Sequence, residues 1–227
     1  MKIRIAAIAL SALWFSAPAQ AAITVVTGSF IAAPTAFNGF ENLPGHFTVP
    51  YDEQGIDVRY VTDETYNIFS TVQAYEGTQS FYEFGVGADG SAHQGHGYTA
   101  ITLQSGADFP AIQFAVGSGY FDSGAALNYQ LLNDGAVVQT GVAGLAPAYH
   151  NGFAIYGFYG APFDEVRLQV SFDGAFDANA FDAGDFDAIT VGLIPEPGAW
   201  ALLIAGFGLT GAALRRWRAV QPVQAAI

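Results

Sequence analysis

"ALNYQLLNDGAVVQT", residues 126–140, sets the fold. Leu127, Tyr129 and Leu131 alternate with Asn128 and Gln130, a period of two that sends the two sets to opposite faces of a strand. Asp134-Gly135 follows, a residue pair favoured where both central positions of a tight hairpin need positive φ. The segment therefore reads as a β-hairpin. The same period recurs on either side. In "EVRLQVSF" (165–172), Val166, Leu168, Val170 and Phe172 alternate with Arg167, Gln169 and Ser171. In "FPAIQFAV" (109–116), Ile112, Phe114 and Val116 oppose Ala111, Gln113 and Ala115. Weaker strands are expected at 23–30, 56–61, 68–75, 98–103, 153–159 and 186–193. Gly, Pro, Asn and Asp punctuate them, and no long helical period intervenes. This pattern predicts an all-β antiparallel β-sandwich, jelly-roll-like, whose sheets have one buried and one wet face.

The two ends read differently. Lys2 and Arg4, the apolar run Ile5 to Phe15 and the small-residue flank "SAPAQAA" predict a signal peptide cut between Ala21 and Ala22. Near the other end, Gly198 to Leu214 is an uncharged run of 17 residues. As a helix it would be about 25 Å long, close to a hydrocarbon core of about 30 Å. Trp200 and Trp217 flank it, and Arg215, Arg216 and Arg218 follow. Those charges predict one transmembrane helix with its arginines in the cytoplasm. Pro195-Glu196-Pro197 precedes the run as an extended, accessible segment, because proline forbids helix there. The chain thus divides into 1–21, a sandwich domain at 22–194 and a tail at 195–227.

Within 22–194 the only cations are Arg59 and Arg167, against nineteen Asp and Glu, a net charge of −17 with His neutral. Such a surface repels nucleic acid. The chain has no Cys, so the domain depends on its core or on bound metal. All three tryptophans lie in the ends and all eleven tyrosines in the middle.

Few motifs carry chemistry. "GVGADG" (85–90) matches a dinucleotide fingerprint in letters, but no helix pattern follows it, so it reads as a loop. His93 and His96 are three apart, with no further ligand nearby in sequence; they read as part of a polar loop. No G-x-S-x-G occurs. Acidic residues abound, yet no spacing singles out a glycoside-hydrolysing pair. The one acidic concentration is "FDGAFDANAFDAGDFDAITV" (172–191), where Phe-Asp recurs at 172, 176, 181 and 186. Its aspartates suit a hard cation such as Ca2+, or form a solvated acidic loop.

Two resemblances extend this reading. Pro195, Glu196, Pro197, Trp200 and Ala201, followed by "LIAGFGLTGAALRR", closely resemble the PEP-CTERM sorting signal of Gram-negative exopolysaccharide-forming bacteria, in its PEP-x-x-W-A form. That resemblance implies transient recognition and cleavage by exosortase, a membrane transpeptidase. The chain would pass from an inner-membrane intermediate to the cell surface or extracellular matrix. "NGFEN" (38–42) and "DAITV" (187–191) resemble the terminal strands of galactose-binding-like jelly-roll modules. In those modules a Glu of the first strand and an Asp opening the last hold a structural Ca2+. Here that implies Glu41 and Asp187; from the Phe-Asp run, Asp185 or Asp182 is expected to assist them. The expectation is a non-enzymatic structural or carbohydrate-binding protein of a polysaccharide layer. The alternative is a jelly-roll glycan hydrolase or lyase carried by the same tail.

Overall fold

The computed structural model describes residues 22–43, 46–47, 50–62, 68–70, 73–82, 85–86, 92–93 and 95–194, together with 207, 208, 210 and 215. Eighteen strands occur among them. The first six are β1 (Thr24–Thr27), β2 (Ala33–Asn38), β3 (His46–Phe47), β4 (Tyr51–Glu53), β5 (Ile56–Val61) and β6 (Ile68–Ser70). Next come β7 (Phe81–Tyr82), β8 (Gly85–Val86), β9 (Ala92–His93), β10 (Gly95–His96), β11 (Tyr98–Leu103) and β12 (Ala111–Ser118). The last are β13 (Ala126–Asn133), β14 (Ala136–Leu145), β15 (Ala154–Tyr159), β16 (Glu165–Ser171), β17 (Phe181–Asp182) and β18 (Gly184–Leu193).

They build the expected antiparallel sandwich. One sheet runs β1-β15-β12-β18-β7-β6-β3, with β2 also on β18. The facing sheet runs β14-β13-β16-β11-β5-β4. The pairs β10-β17 and β8-β9 stand apart. Period-two alternation explains the core. Phe114, Phe158 and Phe186 from one sheet meet Leu127, Leu131, Val166, Leu168 and Val170 from the other, all fully buried. Tyr129 and Phe158 span the interface between the sheets, with ring centroids 4.8 Å apart. The hairpin turn has the expected geometry, with φ of 50° at Asp134 and 76° at Gly135.

Three expectations need correction. The strand expected to reach Phe172 ends at Ser171, and Phe172 is exposed. Gln169 and Ser171, expected on a wet face, are buried. The reason is the segment after β16, which folds back over them. Gln169 Nε2 donates to the carbonyls of Gly97 and Asp177, and its Oε1 accepts from the Asp177 N–H. The amide thus pairs with backbone as a neighbouring strand would. The third correction is β18. Every residue from Gly184 to Gly192 is buried, so both faces are covered. Residues 28–31 and 73–80 lie across the outer face: Gln113 Oε1 accepts from the N–H groups of Phe30 and Ile31, and Asp187 accepts from the second segment.

Pro195, Glu196, Pro197, Trp200, Arg216 and Arg218 lie outside the described residues, as does residues 1–21. Phe207, Gly208, Thr210 and Arg215 are helical, and Arg215 is exposed. Among the described residues no helix is long and apolar enough to cross a membrane.

Candidate functional site: a carboxylate cluster and an aromatic groove

The Phe-Asp run supplies both sites. Its second half enters β18, where the register against β12 shifts between Gln113 and Ala115. Ala188 sits in this irregularity at φ 49°. A left-handed non-glycine residue costs about 1 kcal/mol. Asp187 offsets that cost by accepting the Ala188 N–H at 2.6 Å on Oδ1. Its Oδ2 accepts from the N–H groups of Tyr75 and Glu76, at 2.7 and 2.9 Å. Glu41 holds the other end of the same loop. Its Oε1 accepts from the N–H groups of Thr78 and Gln79, and its Oε2 from the Thr78 hydroxyl. Gly77, at φ 70°, sits in the left-handed region that favours glycine, and a Cβ there would displace the Glu41 carboxylate.

Electrostatics follow from burial. Asp187 is inaccessible to solvent, and burial pushes its carboxyl up to about 6 despite three N–H donors, with Glu41 adding to the rise. Asp185 is raised well above the usual carboxylate value, by burial first and then by Asp187. A hydrogen bond from Ser80 opposes the rise, while Asp185 Oδ1 is buried with no hydrogen-bond partner. Glu41 is exposed, and its bonds from Thr78 hold its carboxyl below the usual value.

Three of the four residues expected to hold calcium thus surround one loop: Glu41, Asp185 and Asp187. Asp182 serves elsewhere, accepting the Val170 N–H at 2.7 Å. Glu41 lies in the turn after β2 rather than in a first strand, and Asp187 is the fourth residue of β18 rather than its opening one. As the loop stands it offers the carboxylates N–H groups, which a cation would repel. In this conformation the carboxylates of Asp187 and Glu41 are held by N–H groups of loop 73–80. Among the described residues no group of three or more His, Asp or Glu is arranged to hold a metal.

The first half of the run lines a groove. Tyr120 and Asp122, just after β12, meet Ser171, Phe172 and Asp173 at the end of β16, and Phe181 of β17. The space between them is about 270 Å3. Phe172 is 53% exposed and Phe181 49%. The Tyr120 and Phe172 rings are tilted, 4.8 Å apart. His96 stacks on Phe181 at 4.1 Å. Burial, with Asp182 and Asp173 nearby, pushes the Tyr120 phenol well above its ordinary value. It remains a protonated hydrogen-bond donor. Two exposed aromatic faces, a phenol and two carboxylates in one shallow depression can stack on an apolar ring face and pair with hydroxyls. The sequence flagged Phe172, Asp173 and Phe181 only through the repeated dipeptide. Tyr120 and Asp122 carried no local signal, since 50 residues separate them from the rest.

No protein-family model matches the chain, and no curated protein matches it. Among solved structures, the chain is similar to the CBM22-1 xylan-binding domain from Paenibacillus barcinonensis Xyn10C, at 15% identity and a TM-score of 0.38. The match covers 74% of this chain and 98% of that one. It is also similar to the K1 cleaved adhesin domain of Lys-gingipain from Porphyromonas gingivalis W83, at 13% identity and a TM-score of 0.36, over 76% and 99% of the two chains. A third match is isomalto-dextranase of Arthrobacter globiformis T6 complexed with panose, at 12% identity and a TM-score of 0.25, over 74% of this chain and 23% of that one.

Proposed function

We propose that this chain is an exported protein, processed by exosortase, whose sandwich domain binds polysaccharide at the cell surface or in the extracellular matrix. The observation that carries the binding role is the groove at Phe172 and Phe181. Large apolar side chains are costly to leave in water, and here two aromatic rings stand half-exposed beside carboxylates and a phenol. A pyranose has the complementary surface, with axial C–H groups on one face and hydroxyls around the rim. A groove of about 270 Å3 lies below the usual ligand-pocket range of about 300–1,000 Å3, which suits one sugar ring of a longer chain. The test is a glycan array followed by titration calorimetry on the best ligand. Phe172→Ala and Phe181→Ala should each weaken binding about 10-fold, equivalent to about 1.4 kcal/mol. Unchanged binding in both variants rejects the groove.

The sorting role rests on Pro195, Glu196, Pro197 and Trp200, with Arg215, Arg216 and Arg218 behind them. Outside the signal peptide, all tryptophan lies in the tail. Protein released after cleavage near Pro195–Pro197 should therefore emit as tyrosine only. Tryptophan emission from the released form defeats this part of the reading.

Calcium enters the proposal only through a rearranged loop 73–80, with carbonyl oxygens turned toward Glu41 and Asp187 in place of N–H groups. A Ca2+-specific rise in melting temperature, absent from Glu41→Gln and Asp187→Asn, supports it. Equal melting in Ca2+ and EGTA removes it. One observation favours the enzymatic alternative: the raised carboxyls of Asp185 and Asp187 are of the kind that serve acid catalysis. Against it, both side chains are at most 2% exposed, and a catalytic acid must reach its substrate. Release of reducing ends from a bound glycan, abolished in Asp185→Asn, would favour the enzyme.

A further inference from the structure

The outer edges of the two sheets are unequal. In the first sheet, β1 and β3 are four and two residues long, and β2, which pairs only with β18 among the described residues, carries Pro34. In the second, β4 has three residues, Tyr51, Asp52 and Glu53, with Asp57 of β5 opposite Asp52. Short length, charge and proline are devices by which proteins blunt edges, and bulges are another. The remaining edge, β14, has only the last of these, with extra residues at Val138 and Ala143. Its ten residues, "AVVQTGVAGL", contain no charge and no proline, and among the described residues it pairs only with β13. Val137, Val138, Val142 and Leu145 are 46–63% exposed. An antiparallel partner uses alternate N–H and C=O pairs, so β14 presents its remaining pairs outward.

We propose that β14 is the interface for a second copy of this chain, paired antiparallel across a two-fold axis so that one continuous sheet spans a dimer. Charge selects the occupant. A domain of net −17 repels its own copies over most of its surface. Yet from Asp134 to Asp164 there is no intervening Asp, Glu, Lys or Arg. The strand extends about 33 Å at about 3.3 Å per residue, well beyond a screening length of about 8 Å at physiological salt. Antiparallel pairing sets the Asp134 turn of one copy at the Leu145 end of the other, which holds the two acidic turns apart. Parallel pairing would bring them together. Val138 and Gln139 also border an uncharged side-chain groove of about 410 Å3 with Ile23 and Pro162, which extends the apolar contact beyond the backbone.

Closure follows from the other edges. An isologous pair uses β14 of each copy once. The far edge of the same sheet, β4, is short and acidic and cannot extend the ladder. Irregularities in the β13–β14 register, beside Asn128 and Leu132, bend the strand and oppose flat stacking. The product is a dimer and not a fibre.

The chain has no Cys, which makes the test direct. Full-length protein in non-ionic detergent carries Thr140→Cys at the exposed middle of β14, or Asp52→Cys on β4 as the control. A bismaleimide should trap Thr140→Cys as a dimer at least 10-fold more efficiently than Asp52→Cys. Adding Val138→Lys and Val142→Lys to Thr140→Cys should abolish that trapping, because each copy then presents cations and unpaired ammonium groups to the other. In sedimentation velocity, with bound detergent subtracted, the doubly substituted chain should run at monomer mass and the parent at dimer mass. Trapping that is equal at the two cysteines overturns the proposal. So does a parent of monomer mass, or a dimer indifferent to the two lysines. Far-UV circular dichroism verifies that the lysine variant is folded; if it is not, the two cysteine variants alone decide.

Discussion

The Phe-Asp dipeptide occurs four times between residues 172 and 187, and its first and last copies have opposite environments. Phe172 and Asp173 both face solvent. Phe186 and Asp187 are both inaccessible, the ring in the core and the carboxylate under loop 73–80. The third copy divides: Phe181 is exposed, while Asp182 is buried on the Val170 N–H. Identical letters therefore acquire their roles from what lies across from them. Where the chain turns, the aromatic ring is left half-exposed. Where it enters the central strand, the ring fills the core and the acid holds a loop.

The largest effect should separate the two phenylalanines. Phe186→Ala empties a fully buried site and should cost about 3–5 kcal/mol in denaturant unfolding. Phe172→Ala should cost less than about 0.5 kcal/mol while weakening glycan binding. Equal costs would erase the distinction.

Acidity gives the next effect. Burial lets Asp187 hold its proton up to about pH 6 in the folded protein, above the ordinary aspartate value of 3.8. The folded state binds that proton more tightly than the unfolded state. Its contribution to stability is therefore full below about pH 4 and is lost as pH rises through about 6. A rise from 3.8 to about 6 corresponds to about 3 kcal/mol. Asp185 shifts in the same direction and acts with the same sign. Urea unfolding at pH 4 and pH 7.5 should show the parent less stable at the higher pH. Asp187→Asn should flatten that difference, and Asp173→Asn should leave it unchanged. A parent that gains stability between these pH values contradicts the burial argument.

Smaller still is the contrast between Asp182 and Asp173. Asp182→Ala leaves the buried Val170 N–H unpaired, at a cost of about 2 kcal/mol. Asp173→Ala, on the surface, should fall within about 0.5 kcal/mol of the parent. Calorimetric melting of both variants measures the gap.

The fold was largely legible. Alternation in 126–133 and 165–171, with a turn between strands at Asp134-Gly135, reports one face buried against a second sheet. What escaped were elements whose neighbours are distant in sequence. β2 carries Pro34 and lacks clear alternation, yet it pairs with β18, more than 150 residues away. Strand β18 contains Asp185 and Asp187, residue types that normally face water. Their burial depends on loop 73–80, and no local pattern announces that cover. The groove was half legible. Phe172 and Phe181 belong to the repeat, but Tyr120 and Asp122 reach it only through the order β12-β18 and the return of the chain beside β16.

β18 comes last of the strands and yet lies inside its sheet, with β12 on one side and β2 and β7 on the other. Asp187 meets partners 111 and 112 residues earlier. Folding order is constrained accordingly. Until residues 184–193 are made, the first sheet has a gap at its middle and loop 73–80 has no anchor. An N-terminal fragment cannot close the sandwich, so contacts form late and folding is slow for the chain's length. That delay keeps the two sheets from closing on each other until the final strand is in place.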